Sequence, residues 1–217
     1  MKRQVTMEEI SDGKLYTSND LVKADCGDCE ECHACCTGMG SSIVLDPLDI
    51  VRISRGTGAA FETLLAGKIE LNVVDGIILP NLKMAGAEDG CGFLTEEGRC
   101  GIHPFRPGIC RLFPLGRYYE EKGFCYFLQV HECQKENRAK VKVKKWLDTP
   151  DLKKYETYIA RWHGLLIQLQ EYIAAHPESA KAVSMDVLQR FYLTPYQTEE
   201  FYSEFFRRMD EAKKAYC

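Results

Sequence analysis

Cys26-Gly-Asp-Cys-Glu-Glu-Cys-His-Ala-Cys-Cys36 places five thiols, Cys26, Cys29, Cys32, Cys35 and Cys36, within eleven residues. Cysteines this close make strained disulfides, because a disulfide needs Cα atoms several ångströms apart and converging Cβ vectors. Two intervening residues instead let two thiolates grip one metal ion or cluster, as in structural zinc and ferredoxin-type sites. The chemistry expected of this stretch is metal–thiolate coordination. A lone cysteine is often only a small apolar residue. That suits Cys125, between Phe124 and Tyr126, and Cys217 reads as a bystander.

Two ligand schemes compete. Cys26, Cys29, Cys32 and Cys36 fit C-x2-C-x2-C-x3-C, the spacing of bacterial ferredoxin clusters, although Thr37 stands where proline usually follows. The zinc alternative pairs Cys29 with Cys32, or Cys32 with Cys35, against distal cysteines such as Cys91, Cys100, Cys110 or Cys133. The thiol number and spacing lean towards a four-iron cluster over zinc. Either centre, with four thiolates, carries a net charge near −2 by formal counting, so cations must offset it. Arg106 and Arg111 bracket Cys110 and are the candidates around the cofactor; a salt bridge holding the proline loop is their plainer role. His33, His103 and His131 lie near cysteines but read as surface or outlying residues before ligands.

Composition sets the context. With 217 residues, 45% apolar and 28% charged, the chain can bury a real core. A net charge of −4 argues against a nucleic-acid partner. Met1–Ile10 has two basic residues but no apolar run behind them, so no secretory signal is read there. No stretch reaches the roughly 18 apolar residues of a membrane span. The expectation is a cytoplasmic protein, in which eleven cysteines mean metal rather than disulfides.

The elements that must position these thiols follow from local pattern. Residues 1–25 are a polar lead-in with weak periodicity. Asp46-Pro47 starts a helix through Leu48, Ile50, Val51 and Ile53, broken at Gly56-Thr-Gly58, with a second short helix at Phe61, Leu64 and Leu65. Ile69–Val74 and Ile77–Leu79 flank Asp75-Gly76, a type I′ hairpin signal. Further hairpins are expected at Cys91–Leu94 with Arg99–Ile102, and at Arg117–Tyr119 with Phe124–Phe127. Three prolines make His103–Pro114 a rigid loop with room for one helical turn. From Trp146 the chain reads as helix, starting at Thr149-Pro150. Leu152, Tyr155, Ile159, Trp162, Leu166, Leu169 and Ile173 form one amphipathic stripe that ends at His176-Pro177. Thr198-Glu-Glu opens a last helix whose Phe201, Phe205 and Met209 share a face. The expected fold is α+β: a small cysteine-rich metal-binding domain of short helices and hairpins (residues 26–147) with a helical C-terminal extension (148–217).

Cys29-Glu-Glu-Cys-His-Ala-Cys-Cys36, Cys91-Gly-Phe-Leu94, Cys100-Gly-Ile-His103 and Arg106-Pro-Gly-Ile-Cys-Arg-Leu-Phe-Pro114 resemble, in that order, the YkgJ-type cysteine-cluster family. This is the zinc- or iron-chelating domain with the CxxCxxCC signature. The resemblance implies Cys29, Cys32, Cys35, Cys36, Cys91, Cys100 and Cys110 as the shared metal set. Cys133, ahead of Lys145-Trp-Leu147, is similar to the family's later cysteine, but Gln134 replaces the expected Pro-Gly. Cys26 is an addition to the signature.

Three functions follow as expectations. The first is a metal-binding protein chelating zinc or iron, or a 4Fe–4S cluster, with no chemistry of its own. The second is an iron–sulfur-dependent enzyme related to flagellin lysine N-methylase, whose cysteine block resembles this family. Against it stands the lack of a Gly-rich phosphate loop, H-E-x-x-H or G-x-S-x-G motif. The third is a metal-stabilised interaction module recruiting a protein partner through the C-terminal helices. Lys140-Val-Lys-Val-Lys-Lys145 could meet an acidic partner, though a solvated face is the simpler account.

Overall fold

The computed structural model describes residues 6–27, 32–135 and 137–216, without the side chain of Thr198. Cys29 and Cys217 therefore lie outside the described residues. The lead-in is more ordered than its pattern suggests. A turn of helix, α1 (Met7–Ile10), is followed by single bridges from Ser11 to Gln129 and Tyr16 to Tyr126, and then by β1 (Leu21–Asp25). Val22 and Ala24 of β1 are buried, so two apolar residues at alternate positions suffice to seat the strand.

α2 (Pro47–Thr57) starts as expected, with Pro47 at N1 and the Asp46 carboxylate accepting from the Asp49 N–H. The helix runs through Gly56 and ends at Gly58, whose φ of 71° is the left-handed end that glycine adopts without strain. α3 (Phe61–Leu65) follows, then the hairpin of β2 (Ile69–Val74) and β3 (Ile77–Leu82). Asp75 and Gly76 both have positive φ, as a type I′ turn requires.

The hairpin expected at Cys91–Leu94 is reduced to a single bridge, Leu94 to Cys100. Cys91 pairs elsewhere, in the two-residue strands β4 (Met84–Ala85) and β5 (Gly90–Cys91). The proline loop holds two short helical pieces, a 3₁₀ turn at His103–Phe105 and α4 (Gly108–Leu112). β6 (Leu115–Glu120) and β7 (Gly123–Leu128) form the third hairpin. β8 (Ala139–Lys142) returns antiparallel to β1 and leads into α5 (Val143–Leu147).

The long helix α6 (Leu152–Ala175) begins after Thr149-Pro150, with Asp151 at its N-cap rather than Thr149, whose hydroxyl donates back to the Leu147 carbonyl. Tyr155, Ile159, Trp162 and Leu169 of the stripe are buried, joined by Tyr158 and Leu165 on the neighbouring rows. A helix that the pattern did not announce, α7 (Ala180–Leu188), continues into a π turn at Gln189–Leu193. α8 (Phe201–Tyr216) buries Phe201, Phe205 and Met209 as anticipated. Buried Arg208 ties α8 to the end of the π turn, donating to the carbonyls of Arg190, Thr194 and Pro195.

The eight helices and four separate two-stranded antiparallel pairs among the described residues make an α+β fold with a helical C-terminal stretch. One hydrophobic cluster joins α2, α3, β2 and β3 to α6, α7 and α8; a second gathers β1, β6, β7 and α5. The amphipathic stripe is thus spent inside the molecule. Among the described residues no helix is long and apolar enough to cross a membrane.

Candidate metal centre

Cys35 and Cys36 sit on a 3₁₀ turn, Ala34–Cys36, closed by the Cys36 N–H on the His33 carbonyl at 2.7 Å. The next residue, Thr37, bridges antiparallel to Gly90, and the Gly38 N–H donates to the Asp89 carbonyl at 2.9 Å. This pairing lays the cysteine block beside β5 and hence beside Cys91. The Leu94–Cys100 bridge, with Gly101 N–H on the Phe93 carbonyl at 2.8 Å, folds Cys100 back onto the same spot. α4 brings Cys110. Its first N–H, on Gly108, is held by the Asp49 carboxylate of α2 at 2.7 Å.

The electrostatics show that these thiols share one neighbourhood. Cys36 donates its S–H to Cys35, which holds the Cys35 thiol down to about 7, with Arg106 adding to the effect. The same hydrogen bond, burial and repulsion from Cys35, Cys100 and Cys91 push Cys36 up. Burial raises Cys91, and repulsion from Cys100 and Cys35 adds to it while Lys68 opposes. Burial also raises Cys100, against which Arg106 acts, and lifts Cys110 well above its ordinary value, with Asp49, Cys91, Cys35 and Cys100 contributing. Each of these thiols therefore feels at least two others. A cation placed among them would relieve both the repulsion and the cost of burying thiolates.

Among the described residues, no three His, Cys, Asp or Glu side chains form a metal-holding arrangement. The donors fit a metal nonetheless: soft sulfur ligands suit zinc and iron, no disulfide consumes them, and one thiol is already close to ionising at neutral pH.

The remaining candidates fall elsewhere. Cys26, Cys32 and Cys133 line a small cavity with Cys35. Cys29 lies outside the described residues. Cys125 faces Glu120 on the β6–β7 hairpin, at 3.9 Å. Arg106 meets His103 at 2.6 Å, and its charge acts to lower Cys35 and opposes the rise of Cys100. Arg111 instead braces the proline loop, donating to the carbonyls of Asp148 and Pro104 and pairing with the Asp148 carboxylate at 3.8 Å. His33 lies exposed against Gly98.

Sequence reasoning missed the polar network under Cys110. Tyr158 donates to Asp46 at 2.9 Å and accepts from the Leu48 N–H at 3.1 Å. Arg117 donates to the Tyr155 hydroxyl at 3.2 Å, and the Arg52 guanidinium lies 5.4 Å from the Tyr155 ring centre. Burial raises Asp49 to about 7, with the Asp46 charge adding to it. Asp46-Pro47 announced a helix start; nothing in the sequence announced that this start is covered by α6.

A family model described as "CxxCxxCC: Putative zinc- or iron-chelating domain" matches residues 28–137. The chain belongs to this family. Neither the curated proteins nor the solved structures include a significant match to the chain.

Proposed function

We propose that the protein binds one zinc or iron ion through Cys36, Cys91, Cys100 and Cys110, with Cys35 beside them and Arg106 offsetting the thiolate charge. The observation that carries this is the grouping: Cys36 interacts with Cys91 and Cys100, and Cys110 with Cys91, Cys35 and Cys100, across three separate segments of the chain. Cys26 and Cys32, the other described members of the ferredoxin-like spacing, line a small cavity with Cys35 and Cys133 and are not among the thiols acting on Cys36 or Cys110. That partition favours ligands drawn from distant segments, the pattern of zinc sites and mononuclear thiolate iron, over a cluster held within residues 26–36. A cytoplasmic metal carrier or metal-stabilised adaptor is the role this supports best.

Anaerobic purification followed by absorbance, metal and sulfide analysis on one sample tests the reading. Stoichiometric zinc or iron without sulfide is expected, and Cys100→Ser and Cys110→Ser should each lose it. Matched iron and sulfide would replace the single ion with a cluster and reopen the iron–sulfur enzyme reading. Full metal content in both variants would remove the site altogether.

A further inference from the structure

We propose that a cavity between the proline loop and α5 binds a small organic phosphate, a phosphate group carried on a flat apolar body. The cavity has a volume of about 430 Å³, and no cysteine lines it. That volume is in the range of small-molecule sites and far above what a single ion or water needs. Three cations line it: Arg106 and Arg111 from the proline loop, and Lys145 from α5, next to Trp146.

The fold fixes these walls without a ligand. Arg111, on α4, donates to the Asp148 carbonyl at 3.0 Å and to the Pro104 carbonyl, tying the loop to the end of α5. The Trp146 indole N–H donates to the Phe113 carbonyl at 3.1 Å. The antiparallel strands β1 and β8 contribute Asp25 and Val141 to the lining.

The protein leaves the guanidinium groups short of acceptors. Arg106 donates one N–H to Nε2 of His103 at 2.6 Å; a guanidinium can only donate, so that ring nitrogen accepts. The Nε atoms of Arg106 and Arg111 are both buried with no hydrogen-bond partner among the described residues. The two carboxylates of the cavity offset little of this charge. Asp148 approaches Arg111 only to 3.8 Å with its side chain 87% exposed, an ion pair of small worth in water. Asp25 accepts from the Gly27 N–H at 3.1 Å, within its own turn. One arginine fork already satisfies the two oxygens of a carboxylate. Two forks and an ammonium instead suit a phosphate, with three oxygens and a charge near −2. Phosphate alone would leave most of the cavity unfilled. Trp146 and Val141 give the remaining volume an apolar side, on which a flat body can pack. Within the Lys140–Lys145 run, Lys145 thus acquires a role, while exposed Lys144 stands outside the lining. The site shares only Arg106 with the proposed metal centre.

The test titrates the full chain, reduced and labelled with nitrogen-15, with phenyl phosphate, inorganic phosphate and phenol. The chain has two tryptophans and so two indole N–H signals, and Trp146→Phe identifies the one from Trp146. Phenyl phosphate should shift the Trp146 signal saturably and leave that of Trp162, buried in the core, in place. It should bind about tenfold tighter than inorganic phosphate or phenol, each of which fills half the site. Lys145→Gln should weaken binding about tenfold, and Lys144→Gln less than about twofold. Both lysines are exposed, so both variants keep the fold. An unmoved Trp146 signal overturns the site. Equal losses in the two lysine variants overturn it in favour of a diffuse attraction to the basic run. Binding that Lys145→Gln leaves intact overturns it too, since phosphate seated on a thiolate-held ion would not depend on Lys145. Inorganic phosphate or phenol binding as tightly as phenyl phosphate overturns the organic phosphate as the ligand.

Discussion

Gly108 opens α4, and a methyl group placed there would lie 1.9 Å from the Tyr155 hydroxyl oxygen, 3.1 Å from the ring carbon behind it and 3.6 Å from the Asp49 carboxylate. Contacts below 3.0 Å are essentially unknown for real Cβ atoms, so Gly108→Ala forces a movement of at least 1.1 Å. Tyr155 cannot easily give way. It is 1% exposed and its hydroxyl accepts from Arg117. The strain belongs at the upper end of overpacking, about 3 kcal/mol, with Tm lowered by roughly 6–12 °C. Tyr155→Phe removes the clashing atom at the cost of one buried hydrogen bond, about 1–2 kcal/mol. The double variant should then be nearly as stable as Tyr155→Phe alone, a coupling of about 3 kcal/mol in the double-mutant cycle. Urea unfolding of the four metal-free proteins measures it. Additive losses, or a Gly108→Ala change within experimental error, would refute the claim that α6 fixes the helix carrying Cys110.

Three further outcomes follow from the electrostatics. Cys36→Ala removes the S–H that holds Cys35 near 7, so iodoacetamide alkylation of Cys35 in the metal-free protein should slow about tenfold at neutral pH; an unchanged pH–rate profile would contradict it. Asp49 is raised from 3.8 to about 7 in the fold, so its contribution to stability is full below the unfolded value and is lost as pH rises through the folded one. Between those values the metal-free wild type should therefore lose Tm relative to Asp49→Asn, and parallel Tm–pH curves would count against the buried acid. Cys125 touches Glu120 rather than another thiol, so Cys125→Ser should leave metal content unchanged by elemental analysis.

Much of the scaffold was legible because it rests on local chemistry. Asp46-Pro47 fixed a helix start, Asp75-Gly76 a turn and the 3-and-4 spacing after Leu152 a buried helix face, each through contacts within a few residues. β1 and α7 were not, since β1 has only two inward apolar residues and its partner lies more than a hundred residues away. The grouping of distant thiols was illegible for the same reason. The spacing within residues 26–36 offers several equally good local pairings, and which distant segments come beside it is set by the Thr37–Gly90 and Leu94–Cys100 bridges. No local pattern marks Asp46, Arg52 and Arg117 as buried partners, because only the folded arrangement sets Tyr155 and Tyr158 against them.

The same cover decides what metal removal does. In a zinc finger the ion supplies the folding free energy, apparent values being about 10–16 kcal/mol, and the apo form is unfolded. Here Tyr155, Tyr158, Trp162, Phe191 and Phe205 are all buried in the cluster that also contains Ile53, Ile69 and Leu79. Each such side chain contributes roughly 1.5–3 kcal/mol of burial, so the helices alone offer an apolar term comparable with a metal's. Asp49, on α2 inside that cluster, reaches the N-terminus of α4 directly, which keeps Cys110 near its place without an ion. Chelation should therefore leave far-UV circular dichroism and cooperative unfolding intact, while lowering Tm and freeing Cys91, Cys100 and Cys110 to alkylation. Loss of cooperative unfolding on metal removal would make the ion the core of the fold. Retention would make it a ligand of an already folded chain, the condition under which a carrier can release its cargo without unfolding.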